Sequence, residues 1–359
     1  MPHPADLTNP IFTDPEAARA HFEAIRWPNG AYCPFCGGFD RVAALGGKSM
    51  GPGWYHCSDC RRKFTAAVGT IYERSHIPLT KWLLATHLMC SSKKGMSAHQ
   101  LGRMLVLPYK TVWFMAQRIR EGMRELNPAP MGGAGRIAEA DETFIDGREK
   151  NKRHSKRNPL NIGGVGKEAV FALVERGGKV RSRHVPSVSA KTLKPILEAQ
   201  LDHASTLMTD GEGQYRIIGP TFARHETVNH GIEEYVRGDA HTNTIERYFS
   251  ILKRGINGVY HHISAQHLKR YLGEFDFRYN ERTALGVGDS ERATKAVKGV
   301  VGKRLTYKQP HSPQGQDIPF LQSADALAEA PGRRRFWDNS RLSADTFAFL
   351  GDAFGVTRG

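Results

Sequence analysis

Apolar and polar residues alternate with a period that changes several times along the chain, and each change predicts an element. Residues 13–16 (Thr-Asp-Pro-Glu) have the form of a capping box, and Ala17, Ala18, Phe22 and Ile25 follow at helical spacing, so a short helix comes first. From Pro78 onward Trp82, Leu83, Ala85, Thr86 and Met89 suit the buried face of a second helix. Ser97-Ala-His-Gln100 then caps a third, with Leu101 and Leu105 inward, and Leu107-Pro108 breaks the run. A further helix over 109–123 turns Val112, Met115, Ala116, Ile119 and Met123 inward and Lys110, Thr111, Gln117, Arg118 and Arg120 outward.

Beyond a Pro/Gly-rich linker at 127–135 the period drops to two. Ile137, Glu139, Asp141, Thr143 and Ile145 share one face of a strand; Ala138, Ala140, Glu142 and Phe144 share the other. Residues 169–174 and 180–185 predict two more strands, joined by a turn at 176–179. A helix capped by Ser189 follows, with Leu193, Ile196, Leu197 and Leu201 apolar and Pro195 limiting its first part. Next come a short strand at 206–208 ending in Asp210, strands at 215–218 and near 224–228, and a helix with Ile245, Phe249 and Leu252 on one stripe. The expected fold is α/β.

An unpaired carboxylate on a buried strand face is costly, so the acids at 139–142 need a reason. A divalent metal supplies one, because hard Mg²⁺ takes oxygen ligands. Asp141 is the expected ligand from this strand, with Glu139 on the same face as the alternative and Glu142 expected to point away. Asp210 at a strand end and Glu246 on a helix complete a set of three.

Charge and cysteines extend this picture. The 359 residues carry 51 Lys and Arg against 36 Asp and Glu, a formal charge of +15, which suits a protein that neutralises phosphates. No apolar run of about 18 residues occurs, and the first ten residues lack a basic stretch followed by an apolar one, so neither membrane insertion nor secretion is indicated. Four of the five cysteines fall in two CxxC pairs, Cys33/Cys36 and Cys57/Cys60, with 20 residues between the pairs. That spacing places four thiolates around one structural Zn²⁺, and a reducing compartment fits better than a disulfide framework. Arg61-Arg62-Lys63 gives the ribbon a basic edge, equally compatible with DNA contact and with a purely structural or protein-binding role.

Helix, short turn and basic helix over 97–123 form a helix-turn-helix-like order, with Lys110, Gln117 and Arg118 as candidate DNA-binding residues. The basic run 148–157 directly follows the acid-bearing strand. It reads as a phosphate-gripping arm carrying Lys150, Lys152, Arg153, Lys156 and Arg157, or else as a solvated charge run. The expected organisation is a zinc ribbon with its leading helix at 10–70, a helical region at 76–126, a catalytic domain at 136–283 and a C-terminal extension at 284–359.

The segments EADETFIDG, LMTDGEGQY, HTNTIERYFSILKRG and FDFRYNER, preceded by CPFCGG and CSDC, resemble the bacterial insertion-sequence transposases of the zinc-ribbon DDE type, the ISXO-like group, over residues 10–308. The resemblance implies a ribonuclease H-like catalytic domain behind a zinc ribbon and a helix-turn-helix-like domain. It implies cleavage of the element's terminal inverted repeats and joining to target DNA in a bacterial, nucleoid-associated cytoplasmic setting, by a chain that assembles as a homo-oligomer on double-stranded DNA. Asp141, Asp210 and Glu246 then hold two Mg²⁺ or Mn²⁺ ions, and Lys253 positions DNA. The third acid position in this group is described as Asn, His or Glu; Glu246 is expected here, with Asn243 as the alternative and His241 as support. A structure-selective nuclease on the same fold, or a zinc-ribbon DNA-binding regulator over an inactive domain, are the rival readings.

Overall fold

The structure is a computed structural model that describes residues 7–47, 50–145, 153–157, 166–229, 231 and 234–306. Helix α1 (Pro15–Arg26) begins at Asp14, whose carboxylate accepts from the Glu16 amide at 2.9 Å; the cap is Asp14 rather than Thr13 because Pro15 takes the first helical position. Three short antiparallel strands follow: β1 (Val42–Leu45), β2 (Trp54–Cys57) and β3 (Lys63–Thr65). Then come α2 (Leu79–Ser91), α3 (Ala98–Leu105), capped by the Ser97 hydroxyl, and α4 (Tyr109–Met123).

The remaining strands are β4 (Ile137–Ile145), β5 (Glu168–Glu175) and β6 (Val180–Val185), then α5 (Ala190–Gln200) and β7 (Thr206–Asp210). A short helix α6 (Gly213–Ile218) stands where the sequence predicts a strand. Its buried residues, Tyr215 and Ile218, are three apart and pack against α5, a spacing that one helical turn serves and a strand does not, while Ile217 between them is exposed. Last are β8 (Arg224–Val228), α7 (Asn243–Gly255), α8 (Ala265–Asn280) and α9 (Asp289–Lys298).

The five long strands form one sheet in the order β6-β5-β4-β7-β8, with β4–β5 and β5–β6 antiparallel and β4–β7 and β7–β8 parallel. Alternation along β4 and β5 feeds both faces. Ala138, Ala140, Phe171 and Leu173 pack under α5 and α6, while Ile145, Val170, Ala172 and Val174 pack under α7 and α8.

A separate core joins α1, the ribbon, α2, α3 and α4, and it also takes in Ala296, Val297 and Val300 from α9 and the residues just after it. The sequence boundary at 284 therefore does not separate α9 from the rest; its apolar face finds a partner on α2, some two hundred residues earlier. The two cores meet where α4 lies on α8. There Arg120 and Glu274 form a buried ion pair, the Gln117 side-chain amide donates to the Tyr271 hydroxyl at 3.3 Å, and Arg270 pairs with Glu121 at 3.1 Å. No helix among the described residues is long and apolar enough to cross a membrane.

Candidate active site and metal centres

The cysteine site is built from two loops of matching geometry. The Cys33 amide donates to the Gly38 carbonyl at 2.9 Å, and the Cys57 amide donates to the Arg62 carbonyl at 3.0 Å. The residue after each second cysteine is left-handed: Gly37 at φ 75° and Arg61 at φ 57°. Each knuckle thus turns its two sulfurs inward. Cys33 Sγ lies 3.5 Å from Cys60 Sγ, Cys36 Sγ lies 3.6 Å from Cys57 Sγ, and all four lie within 4.8 Å of one another. With metal–sulfur bonds of about 2.3 Å, a tetrahedral Zn²⁺ sets its ligands close to such separations, so the four thiols fit zinc. Among the described residues this is the one group of three or more His, Cys, Asp or Glu side chains closed to that distance.

The carboxylates form a looser cluster at one end of the large sheet. The parallel ladder between β4 and β7 runs through Ile137–Thr206, Ala138–Leu207 and Glu139–Met208 and goes no further, while β7 remains paired with β8 as far as Asp210–Val228. Carrying the β4–β7 register on by two residues brings Asp141 opposite Asp210. The strands part just before the two acids, opening a crevice between the middle of β4 and the carboxyl end of β7. Helix α7 closes it from one side. A cleft of about 690 Å³ is lined by Asp141, Glu142 and Thr143 from β4 and by Glu246, Phe249, Ser250, Lys253 and Arg254 from α7.

Electrostatics agree with the crowding. Burial, reinforced by Asp210, Glu142 and Glu246, pushes the Asp141 carboxyl up to about 8, although the Glu142 amide donates to it at 2.6 Å. Burial likewise pushes Glu142 up to about 7, with Asp210 and Glu212 adding to the effect. Carboxyls held against ionisation in this way gain from a hard cation, and an all-oxygen donor set suits Mg²⁺ or Mn²⁺.

The structure also separates the acids that the sequence leaves as alternatives. Glu139 is fully buried and committed elsewhere: it accepts from the amides of Thr244 at 2.7 Å and Ile245 at 3.0 Å and from the Thr244 hydroxyl at 2.9 Å, and it pairs with Arg176 at 2.6 Å. It is thereby fixed to the first turn of α7. His241 lies 3.3 Å from it as well, in that second network. Glu142 lies on the opposite face, as expected, where the Gln214 side-chain amide of α6 donates to it at 3.1 Å, and it still borders the cleft because β4 has parted from β7 there while staying paired with β5 through Ile145. Glu246 is exposed in the cleft and accepts from the Thr242 hydroxyl at 2.9 Å; Asn243 opens α7 and is not part of the lining. Lys253 is exposed in the cleft, and so is Arg254 beside it, which the sequence pattern does not single out although it shares the same helix end.

The expected DNA-binding residues fall in three groups. Lys110 is exposed on the first turn of α4. Gln117 and Arg118 are not outward, contrary to the helical pattern. Gln117 is buried against Tyr271, and Arg118 donates to the Glu73 carbonyl at 2.8 Å while its guanidinium lies over Trp82. Arg120, also expected outward, is buried with Glu274. The polar face of α4 is covered by α8 and by the chain around Glu73, which removes Gln117 and Arg118 from any DNA surface of this structure. In the basic arm Arg153 and Arg157 are exposed, and residues 154–156 form a single 3-10 turn; Lys150, Lys152 and the Lys156 side chain lie outside what is described.

A zinc ribbon precedes a mixed sheet in which Asp141 and Asp210 stand where two parallel strands part, and the families that this chain matches are those of transposases. Residues 133–280 match the ISXO2-like transposase domain, and residues 13–63 match the transposase zinc-ribbon domain. The chain is 33% identical over 267 residues, 71% of its length, to an uncharacterized protein in transposable element ISH50 of Halobacterium salinarum, 87% of which is covered. This chain belongs to the ISXO2-like insertion-sequence transposases with an N-terminal zinc ribbon.

Proposed function

We propose that this transposase binds the terminal inverted repeats of its element, cleaves the 3′ ends and joins them to target DNA, with Asp141, Asp210 and Glu246 as a DDE set on a ribonuclease H-like domain. The observation that carries the reading is the parting of β4 and β7 just ahead of Asp141 and Asp210, with Glu246 of α7 lining the same cleft as Asp141 and both Asp210 and Glu246 acting on its charge. Three antiparallel strands continued by two parallel ones support the fold assignment. Helix α3, a three-residue turn and α4 support a helix-turn-helix.

The three carboxylates would hold two divalent ions, which when bound supply Lewis-acid activation of the attacking oxygen and neutralise charge at the leaving oxygen. Asp141 must give up its proton to serve as a ligand, so ion binding competes with protons. Lys253 and Arg254, exposed along the α7 wall, grip phosphates and hold the scissile bond over the acids. Exposed Arg153 and Arg157 extend that grip beyond the cleft in a sequence-independent way.

The test is joining of a labelled inverted-repeat duplex to a plasmid in Mg²⁺ by the parent chain and by Asp141→Asn. Joined product from the parent alone is the expected result. Cleavage without joining would indicate a nuclease, and neither activity would indicate a regulator.

A further inference from the structure

The turn between α3 and α4 holds an outlier that packing does not explain. Val106 sits at φ 52°, ψ 56°, the left-handed region in which a β-branched residue is strained and where glycine is the usual occupant. Nothing offsets that strain from within the molecule, since Val106 is 83% exposed. Its amide and that of Leu107 both donate to the Gly102 carbonyl, and a Cβ on Gly102 would stand 3.1 Å from the Leu107 carbonyl oxygen, so the turn is tight and preset.

Two further large apolar side chains are exposed beside it, Met104 and Tyr109, each at 47%. The His99 ring stacks on Tyr109 at 4.3 Å. Arg103 and Lys110, both exposed, flank this patch with positive charge. Beyond Lys110 no α4 side chain is fully exposed, so this end is the most open to a partner. A strained, rigid, apolar tip between two cations, on a chain of charge +15, is complementary to a surface with methyl groups between phosphates.

We propose that Val106, with Met104 and Tyr109, reads thymine methyl groups in the major groove of the element's end, while Arg103 and Lys110 hold the adjacent phosphates. This rests on the end-recognition reading above and moves the base reader from the middle of α4 to the turn before it. Backbone strain is the cost of presenting a branched side chain where glycine would present none.

The experiment uses the full zinc-loaded chain. A preferred duplex is selected from a randomised pool, and its affinity is compared with that of the same duplex carrying uracil for each thymine in turn, for the parent and for Val106→Gly. At one or two thymines the parent should lose about fourfold per methyl removed, whereas Val106→Gly should be indifferent to those substitutions. Val106→Gly should also unfold about 2 °C higher, since glycine is relaxed in this conformation. A gain in stability together with a loss of discrimination is not what a purely structural turn residue would give.

If no preferred duplex emerges, end recognition itself fails, and this reading with it. If a preferred duplex emerges and uracil substitution leaves the parent unaffected at every position, this inference alone is overturned. A change of oligomeric state in Val106→Gly on sedimentation, with discrimination intact, would assign the patch to a second copy of the chain and overturn it too.

Discussion

Arg120 of α4 and Glu274 of α8 meet at 2.6 Å with both side chains buried, and Arg278 pairs with the same carboxylate from one turn further along α8. Burial opposes the Glu274 charge, but Arg278 and Arg120 outweigh it and keep the carboxylate ionised. Replacing Glu274 by Ala strands two buried guanidinium groups, so a loss of about 3–5 kcal/mol in urea unfolding is expected. A loss under about 1 kcal/mol would mean that the α4–α8 packing is not part of the folded core.

Asp141→Asn, Asp210→Asn and Glu246→Gln should each abolish strand cleavage and leave binding to the ends within about twofold, because the proposed reading surface, on α3 and α4, is separate from these acids. Asn243→Ala should cleave at near the parent rate. Gel assays of nicking alongside binding check this, and the reverse order for Glu246 and Asn243 would transfer the third acid position to Asn243.

In magnesium-free, zinc-loaded protein, the Asp141 carboxyl at about 8 lies above its ordinary unfolded value of 3.8. A folded pKa raised in this direction gives stability that is fully present below about pH 4 and is lost progressively up to about pH 8. Asp141→Asn cannot ionise and does not share that loss. Its melting temperature should overtake the parent's by a few degrees between pH 5 and pH 8, and Mg²⁺ should restore the parent alone. Parallel pH profiles for the two proteins would refute the placement of this group.

Cys33→Ser with Cys36→Ser should lose zinc and weaken end binding. The damage should spread beyond the ribbon, because Cys33, Cys57 and Phe64 share a core with α1, α2 and α4. Circular dichroism should show loss of helix in addition to loss of the ribbon. Loss confined to residues 30–65 would contradict the shared core.

Neutralising Lys150, Lys152, Arg153, Lys156 and Arg157 together should weaken repeat and random duplexes alike, and should flatten the slope of log K against log salt by up to about 0.9 for each phosphate left without its cation. An effect on the repeat alone would make the arm a sequence reader.

Local chemistry is legible in the sequence, and distant packing is not. Two CxxC knuckles are a signal a few residues long, and the structure brings their four sulfurs within 4.8 Å of one another. Gln117 and Arg118 cannot be placed from their own helix, because a helical wheel shows which residues share a face and not whether another helix covers that face. The cover comes from α8, whose Tyr271 and Glu274 lie some 150 residues later. Glu142 keeps the face that alternation assigns, toward Gln214 of α6, but alternation does not show that it also borders the cleft, which follows from the parting of β4 from β7. For 215–218, a short segment with three apolar residues and Arg216 is compatible with strand and helix alike, and burial of Tyr215 and Ile218 against α5 decides.

The return of α9 to the N-terminal core has a consequence for synthesis. A ribosome releases α1 to α4 first, yet the part of α2 that packs on α9 stays uncovered until Ala296, Val297 and Val300 have emerged. The large sheet is thus spliced into the helical module as a long insertion, and the module with the zinc ribbon cannot reach its finished form before the sheet has been made. Chains terminated ahead of residue 289 would carry both cysteine knuckles together with α3 and α4, and would still lack the strut that α9 supplies.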